Sequence, residues 1–108
     1  MGPDYVAIAL KAARAADPDA KLDLNDYNVE TDGPKIRALY HLVASLRAAG
    51  APIDGVGLQS HLVAGAAPRD ISTVMRKFAS LGVDVAVTEL DLRLPLPAND
   101  RSLAALAV

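Results

Sequence analysis

The chain has 108 residues, 52% of them apolar and 22% charged, with a formal charge of -2 and no cysteine. This is room for one small domain and excludes a disordered tail, a disulfide framework, a thiolate zinc site and a cysteine nucleophile. No basic stripe follows a phosphate backbone, so nucleic acid is not an expected partner.

The first predicted helix runs from Asp4 to Ala16, with Pro3 and Asp4 suited to its start and Val6, Leu10, Ala13 and Ala16 as its buried stripe. Asp17-Pro18 stops it, because proline disfavours the α conformation in the preceding residue. Lys21 to Asn25 reads as a strand. A second helix starts near Asp32-Gly33-Pro34, buries Ile36, Leu39, Tyr40, Val43 and Leu46, and ends with Gly50 in the left-handed position. Ile53 to Leu58 reads as a strand, and Arg69 to Leu81 as a helix with Ile71, Val74, Met75 and Phe78 inward. Val83 to Thr88 is nearly all apolar, the mark of a parallel strand covered by helices on both faces. Leu94 to Pro97 is loop, and Asn99-Asp100 caps a fourth helix starting at Arg101.

Strands alternating with helices imply βαβ units, hence α/β architecture with about three parallel strands. No glycine-rich phosphate loop follows a strand, which weighs against a nucleotide-binding open sheet. Polar residues at successive strand ends fit a partial (β/α)8 barrel. The apolar runs are far shorter than the ~20 residues of a membrane span. The first residues lack the basic and apolar regions of a secretory signal.

Alternation along a strand places i and i+2 on one face. Val85, Val87, Glu89 and Asp91 share one parity, and Gly57, Gln59 and His61 share another set. If both sets face a barrel axis, two carboxylates, an amide and an imidazole converge at one mouth, with Asn25, Asp26, Tyr27, Asn28 and Glu30 at the neighbouring strand end. A carboxylate there can attack an anomeric carbon, with the imidazole orienting it and a second carboxylate holding the imidazole; such chemistry needs no metal or cofactor. The plainer readings are that strand-end acids cap helices or meet solvent, and that a single histidine is structural. Asp26 and Asn28 read as turn residues, Glu30 as solvated or near the next helix start, and Arg14, Lys35, Arg37 and Arg47 as outer-face charges.

Three strings go further than spacing. Lys21-Leu22-Asp23-Leu24-Asn25-Asp26-Tyr27-Asn28, Gly50-Ala51-Pro52-Ile53-Asp54-Gly55-Val56-Gly57-Leu58-Gln59-Ser60-His61 and Val87-Thr88-Glu89-Leu90-Asp91-Leu92-Arg93, in that order, closely resemble the family 10 glycoside hydrolases, endo-1,4-β-xylanases built on the TIM barrel. The resemblance covers essentially all of residues 1–108 and implies a fragment of the catalytic barrel, holding the family's fifth to seventh strands. It implies that Glu89 is the nucleophile, that His61 hydrogen-bonds it, and that Asp91 partners the histidine. Gln59 matches a residue near the sugar at the cleavage point, and Asn25 and Tyr27 lie in a motif lining the same cleft. It also implies xylan as substrate, retaining hydrolysis of internal bonds and an extracellular location.

The family's acid/base glutamate sits in a Trp- and Asn-containing motif, and no such motif occurs here. Asp23 stands where the family usually has an apolar or aromatic residue, a costly place for an acid unless it is paired or hydrated. The expectation is a chain with the nucleophile half of the site and no turnover of xylan alone. Asp26 and Glu30 are the only substitute acids nearby. The alternative is a designed or recombinant barrel segment without activity that self-associates or complements another fragment, as open strand edges favour. A different barrel enzyme, such as an aldolase, would want a Schiff-base lysine or a phosphate loop at the mouth; neither is evident.

Overall fold

The structure, a computed structural model, describes residues 4–105. In chain order it comprises α1 (Asp4–Ala16), β1 (Asp23–Asp26), α2 (Pro34–Ala48), β2 (Gly55–Leu58), β3 (His61–Val63), α3 (Ile71–Ala79), β4 (Asp84–Val87), β5 (Asp91–Arg93) and α4 (Asp100–Ala104). Pro3 and the predicted last helix beyond Ala105 lie outside the described residues.

β1, β2 and β4 form one parallel sheet in the order β1-β2-β4, with α2 and α3 as the crossovers. Asn25 lies opposite Gly57, and Gly57 opposite Ala86. The helices cover one face only. Val56 and Leu58 of β2 are fully buried with Ile36, Leu39, Val43 and Leu46 of α2, Val74 and Phe78 of α3, and Val6 and Leu10 of α1. Leu22, Leu24 and Val85 pack against this core from the flanking strands.

On the other face stand Asp23, Asn25, Ala86 and Thr88, all exposed. Two glycines make room for this row. A Cβ on Gly57 would lie 2.8 Å from Asn25 Oδ1 and 2.9 Å from Thr88 Cγ2, and one on Gly55 would collide with the Asp23 carboxylate. Asp23 is therefore hydrated rather than buried, and the feared desolvation cost does not arise. The radius of gyration is 16.4 Å, against about 13 Å for a closed globule of this length. The chain is an open arc.

Several expectations change. β4 is parallel but covered on one side: Val85 is half-buried, whereas Ala86 and Val87 are exposed. β1 starts at Asp23 rather than Lys21, because the Leu22 N–H goes to Asp54 Oδ2 at 2.8 Å and its carbonyl accepts from Asp54 and Gly55. Ala16 is exposed and lies outside the α1 stripe. Arg14 is not an outer-face charge. Its guanidinium binds Asp54 at 2.7 Å and the carbonyls of Pro18 and Ala20, tying α1 to the entry of β2. The Leu22 N–H, joined by Arg14 and opposed by desolvation, holds the Asp54 carboxyl below its usual range.

The helix ends follow local chemistry. α2 closes with Gly50 at φ 72°, the Ala51 N–H reaching Leu46 O and the Gly50 N–H reaching Arg47 O, the paired bonds of a Schellman motif. α4 opens with a capping box between Asn99 and Ser102. The core around α3 supplies the first test. Phe78 is fully buried, so Phe78→Ala should cost about 3–5 kcal/mol, read as a lowered denaturant midpoint; an unchanged midpoint would contradict this packing.

Candidate active site

β2 does not end the path of its strand. The chain continues through Gln59 to Ser60, whose φ of 61° is left-handed, and resumes extended structure as β3 at His61. β4 behaves alike, bending at Glu89 and resuming as β5 at Asp91. The two continuations meet. The Glu89 N–H donates to Gln59 O at 3.1 Å and the Asp91 N–H to Ser60 O at 3.2 Å. β3 and β5 then pair in parallel with His61 directly opposite Asp91.

This register sets one imidazole between two carboxylates. His61 Nδ1 is 2.8 Å from Asp91 Oδ2, and Nε2 is 3.0 Å from Glu89 Oε2. Asn25 Nδ2 donates to the other Glu89 oxygen at 3.3 Å. Thr88 in turn donates its hydroxyl to Asn25 Oδ1 at 3.1 Å, which turns the amide so that its NH2 faces Glu89. A neutral imidazole has one N–H and can satisfy only one of its two carboxylates; the imidazolium satisfies both. The hydrogen bond to Asp91, against some desolvation and with the bond to Glu89 adding to it, accordingly raises the His61 pKa above its ordinary value.

The structure thus brings His61, Glu89, Asp91 and Asn25 together. Gln59 contributes its backbone carbonyl, holding the Glu89 peptide. Tyr27 stands apart and exposed, with Lys35 Nζ 3.4 Å from its ring centroid and donating to its carbonyl. Lys35 also pairs with Asp26 at 3.0 Å, so it too is more than an outer-face charge. Glu30 is buried, not solvated, and both its oxygens accept backbone N–H groups, from Val29 at 3.0 Å and Ser60 at 2.7 Å.

The alternation argument for the last strand needs correction. Val85 faces the core, while Thr88, of the opposite parity, shares the open face with Asn25 and Gly57. Glu89 reaches that face through the bend at its own position, not through strand parity. Thr88 is the supporting residue that sequence reasoning misses; its parity with Ala86 is the available signal.

A cleft of about 560 Å³ opens on the β3–β5 side, lined by Asn28, His61, Asp91 and Arg93 among others. Glu89 is outside that lining, and its side chain is 43% exposed. Among the described residues no group of three or more His, Asp or Glu side chains converges on a point where a metal ion could be held.

The family model for glycosyl hydrolase family 10 matches residues 1–108. The chain belongs to that family. It is 51% identical over 104 residues to endo-1,4-β-xylanase A of Phanerodontia chrysosporium, an alignment covering 96% of this chain and 26% of the relative. It superimposes with a TM-score of 0.91 on an intracellular xylanase from Thermoanaerobacterium saccharolyticum, at 42% identity over 98% of this chain and 33% of that one. A family 10 xylanase from Bispora sp. MEY-1, solved with xylobiose, gives a TM-score of 0.90 at 49% identity, over 96% and 33% of the two chains. The α/β arc is therefore a partial (β/α)8 barrel. The chain spans about a quarter of the curated relative's length and a third of each solved chain. One neighbour is described as intracellular, so family membership by itself carries no compartment. Among the described residues no helix is long and apolar enough to cross a membrane.

The imidazole supplies the second test. By NMR, His61 should titrate above the ordinary value of about 6.5, and Asp91→Asn should lower its midpoint more than Glu89→Gln does. The stability gained from the cluster should be fully present below the unfolded-state pKa and be lost as pH rises through the raised folded-state value. A His61 midpoint at or below the ordinary value would contradict the geometry.

Proposed function

We propose that residues 1–108 are one segment of a xylanase catalytic barrel and carry the nucleophile half of a retaining site acting on internal β-1,4-xylosidic bonds of xylan. The observation that supports this best is the double anchoring of Glu89, one oxygen at His61 and the other at Asn25, with the side chain still 43% exposed. A carboxylate held by both oxygens has a fixed direction of attack. One of its oxygens bonds to the anomeric carbon as the glycosidic C–O bond breaks, giving a glycosyl ester. His61 keeps the carboxylate in place, and Asp91 keeps the ring in place. The family resemblance assigns Gln59 and Tyr27 to the surroundings of the sugar. The route needs no metal or cofactor.

The departing sugar oxygen requires a proton, and retention requires the donor about 5–5.5 Å from the nucleophile. Asp91 is committed to His61, Asp26 is paired with Lys35, and both Glu30 oxygens are bound to buried backbone. The acid/base is therefore supplied from outside this segment, and the segment alone is inactive on xylan. A second reading, a scaffold that self-associates or binds a complementary barrel fragment, is favoured by the open face and by the outer edges of β1 and β4, which pair with no described strand. Such edges are templates for further pairing.

General acid catalysis is typically worth about 10²–10⁴-fold, so xylan turnover by the chain alone should not rise above background. Adding the N-terminal half of a family barrel should restore it, and Glu89→Ala should abolish it again. A sizing run alongside should show a dimer, a higher oligomer or the mixed complex, and a monodisperse monomer would sink the scaffold reading. Robust hydrolysis by the chain alone, lost on Glu89→Ala, would mean that an acid lies within it.

A further inference from the structure

The two carboxylates that flank His61 are not the only ones that bear on it. Glu30 lies on the segment between β1 and α2 and is 5% exposed. It forms no ion pair among the described residues; its partners are backbone. Oε1 accepts the Ser60 N–H at 2.7 Å and Oε2 the Val29 N–H at 3.0 Å. A carboxylate is removed from water at considerable cost, so its two bonds stand in for lost hydration and hold their donors firmly.

Ser60 is the residue those bonds control. It is 1% exposed, and its φ of 61° is a conformation that residues with a Cβ seldom adopt. It stands at the junction of β2 and β3, immediately before His61. The carbonyl of Ser60 accepts the Asp91 N–H, and that of Gln59, joined to Ser60 through the same peptide unit, accepts the Glu89 N–H. The Ser60 N–H that Glu30 takes and the Gln59 carbonyl that Glu89 uses are the two ends of one peptide.

We infer that Glu30 is a positioning residue: its buried carboxylate locks the Gln59–Ser60 peptide and with it the turn at Ser60, from which His61, Glu89 and Asp91 take their places. The inference rests on the proposed role of His61 and Glu89, but its test reads geometry and not turnover. If Glu30 is removed, the Ser60 N–H has no buried acceptor and the left-handed turn loses its restraint. His61 then drifts from its two carboxylates, although Glu30 touches neither the ring nor the sugar.

The experiment is an NMR titration of His61 in the full chain and in Glu30→Ala, Glu30→Gln and the core control Val74→Ala. The groups facing the ring are Asp91 and Glu89 in every case. Glu30→Ala should shift the His61 midpoint downward, towards the ordinary imidazole value. Glu30→Gln, which keeps an acceptor for one of the two N–H groups, should lie between it and the parent. Val74→Ala should leave the midpoint in place. A folded Glu30→Ala variant with an unmoved midpoint overturns the inference, as does an equal shift in Val74→Ala. Should the Glu30 variants fail to fold, hydrogen exchange in the parent chain decides. A Ser60 amide protected like those of β2 supports the lock, and one exchanging as fast as exposed loop amides overturns it. The proposed function fails separately, if Glu89→Ala leaves the activity of the complemented barrel intact.

Discussion

Strand β2 is buried along its whole length and bonded on both edges, and each member of the candidate site is placed with respect to it. Val56 and Leu58 face the helices; Gly55 and Gly57 face the opposite way, beneath Asp23 and Asn25. A slip of one residue would reverse this and drive the apolar pair into the open face, so the register is strongly specified. The glycines are as necessary as the valine and leucine. At Gly57 only a hydrogen leaves space for the Asn25 amide, and that amide holds one oxygen of Glu89.

From this base the site is assembled by backbone before side chains meet. The peptide groups of Gln59 and Ser60 receive the N–H groups of Glu89 and Asp91, and β3 and β5 fix His61 opposite Asp91. The imidazole then bridges two carboxylates that would otherwise repel each other. Hydrogen bonds from Asn25 and His61 orient the Glu89 carboxylate and leave it exposed.

Much of this was legible in the residues. The helical stripes were read from 3.6-residue spacing, and Ile36, Leu39, Val43, Leu46, Val74 and Phe78 are buried as periodicity requires. Gly50 and Asn99 marked helix boundaries through cap chemistry that depends on few neighbours. The illegible parts share a cause, since each depends on contacts remote in sequence or on a break in regular backbone. Period-2 reasoning from Val85 to Glu89 fails because Val85 packs on the core while the bend at Glu89 interrupts alternation. The sheet of β3 and β5 follows from those same breaks. Arg14 and Glu30 looked solvated because charged residues usually are; their partners Asp54 and Ser60 lie 40 and 30 residues away.

In the proposed function, Glu89 is an oriented nucleophile without its acid/base. An aryl xyloside whose leaving group departs without protonation bypasses the first need for that acid. On that proposal the second step is slowed as well, because no base would activate the water that releases the sugar. The direct measurement is mass spectrometry of the chain after incubation with such a xyloside, followed by peptide mapping. The account predicts an adduct of one xylosyl group, with loss of the aryl oxide, on the peptide carrying Glu89, and none in Glu89→Ala. An adduct on another carboxylate, or an unlabelled chain under conditions that label an intact family xylanase lacking its acid/base, would contradict it.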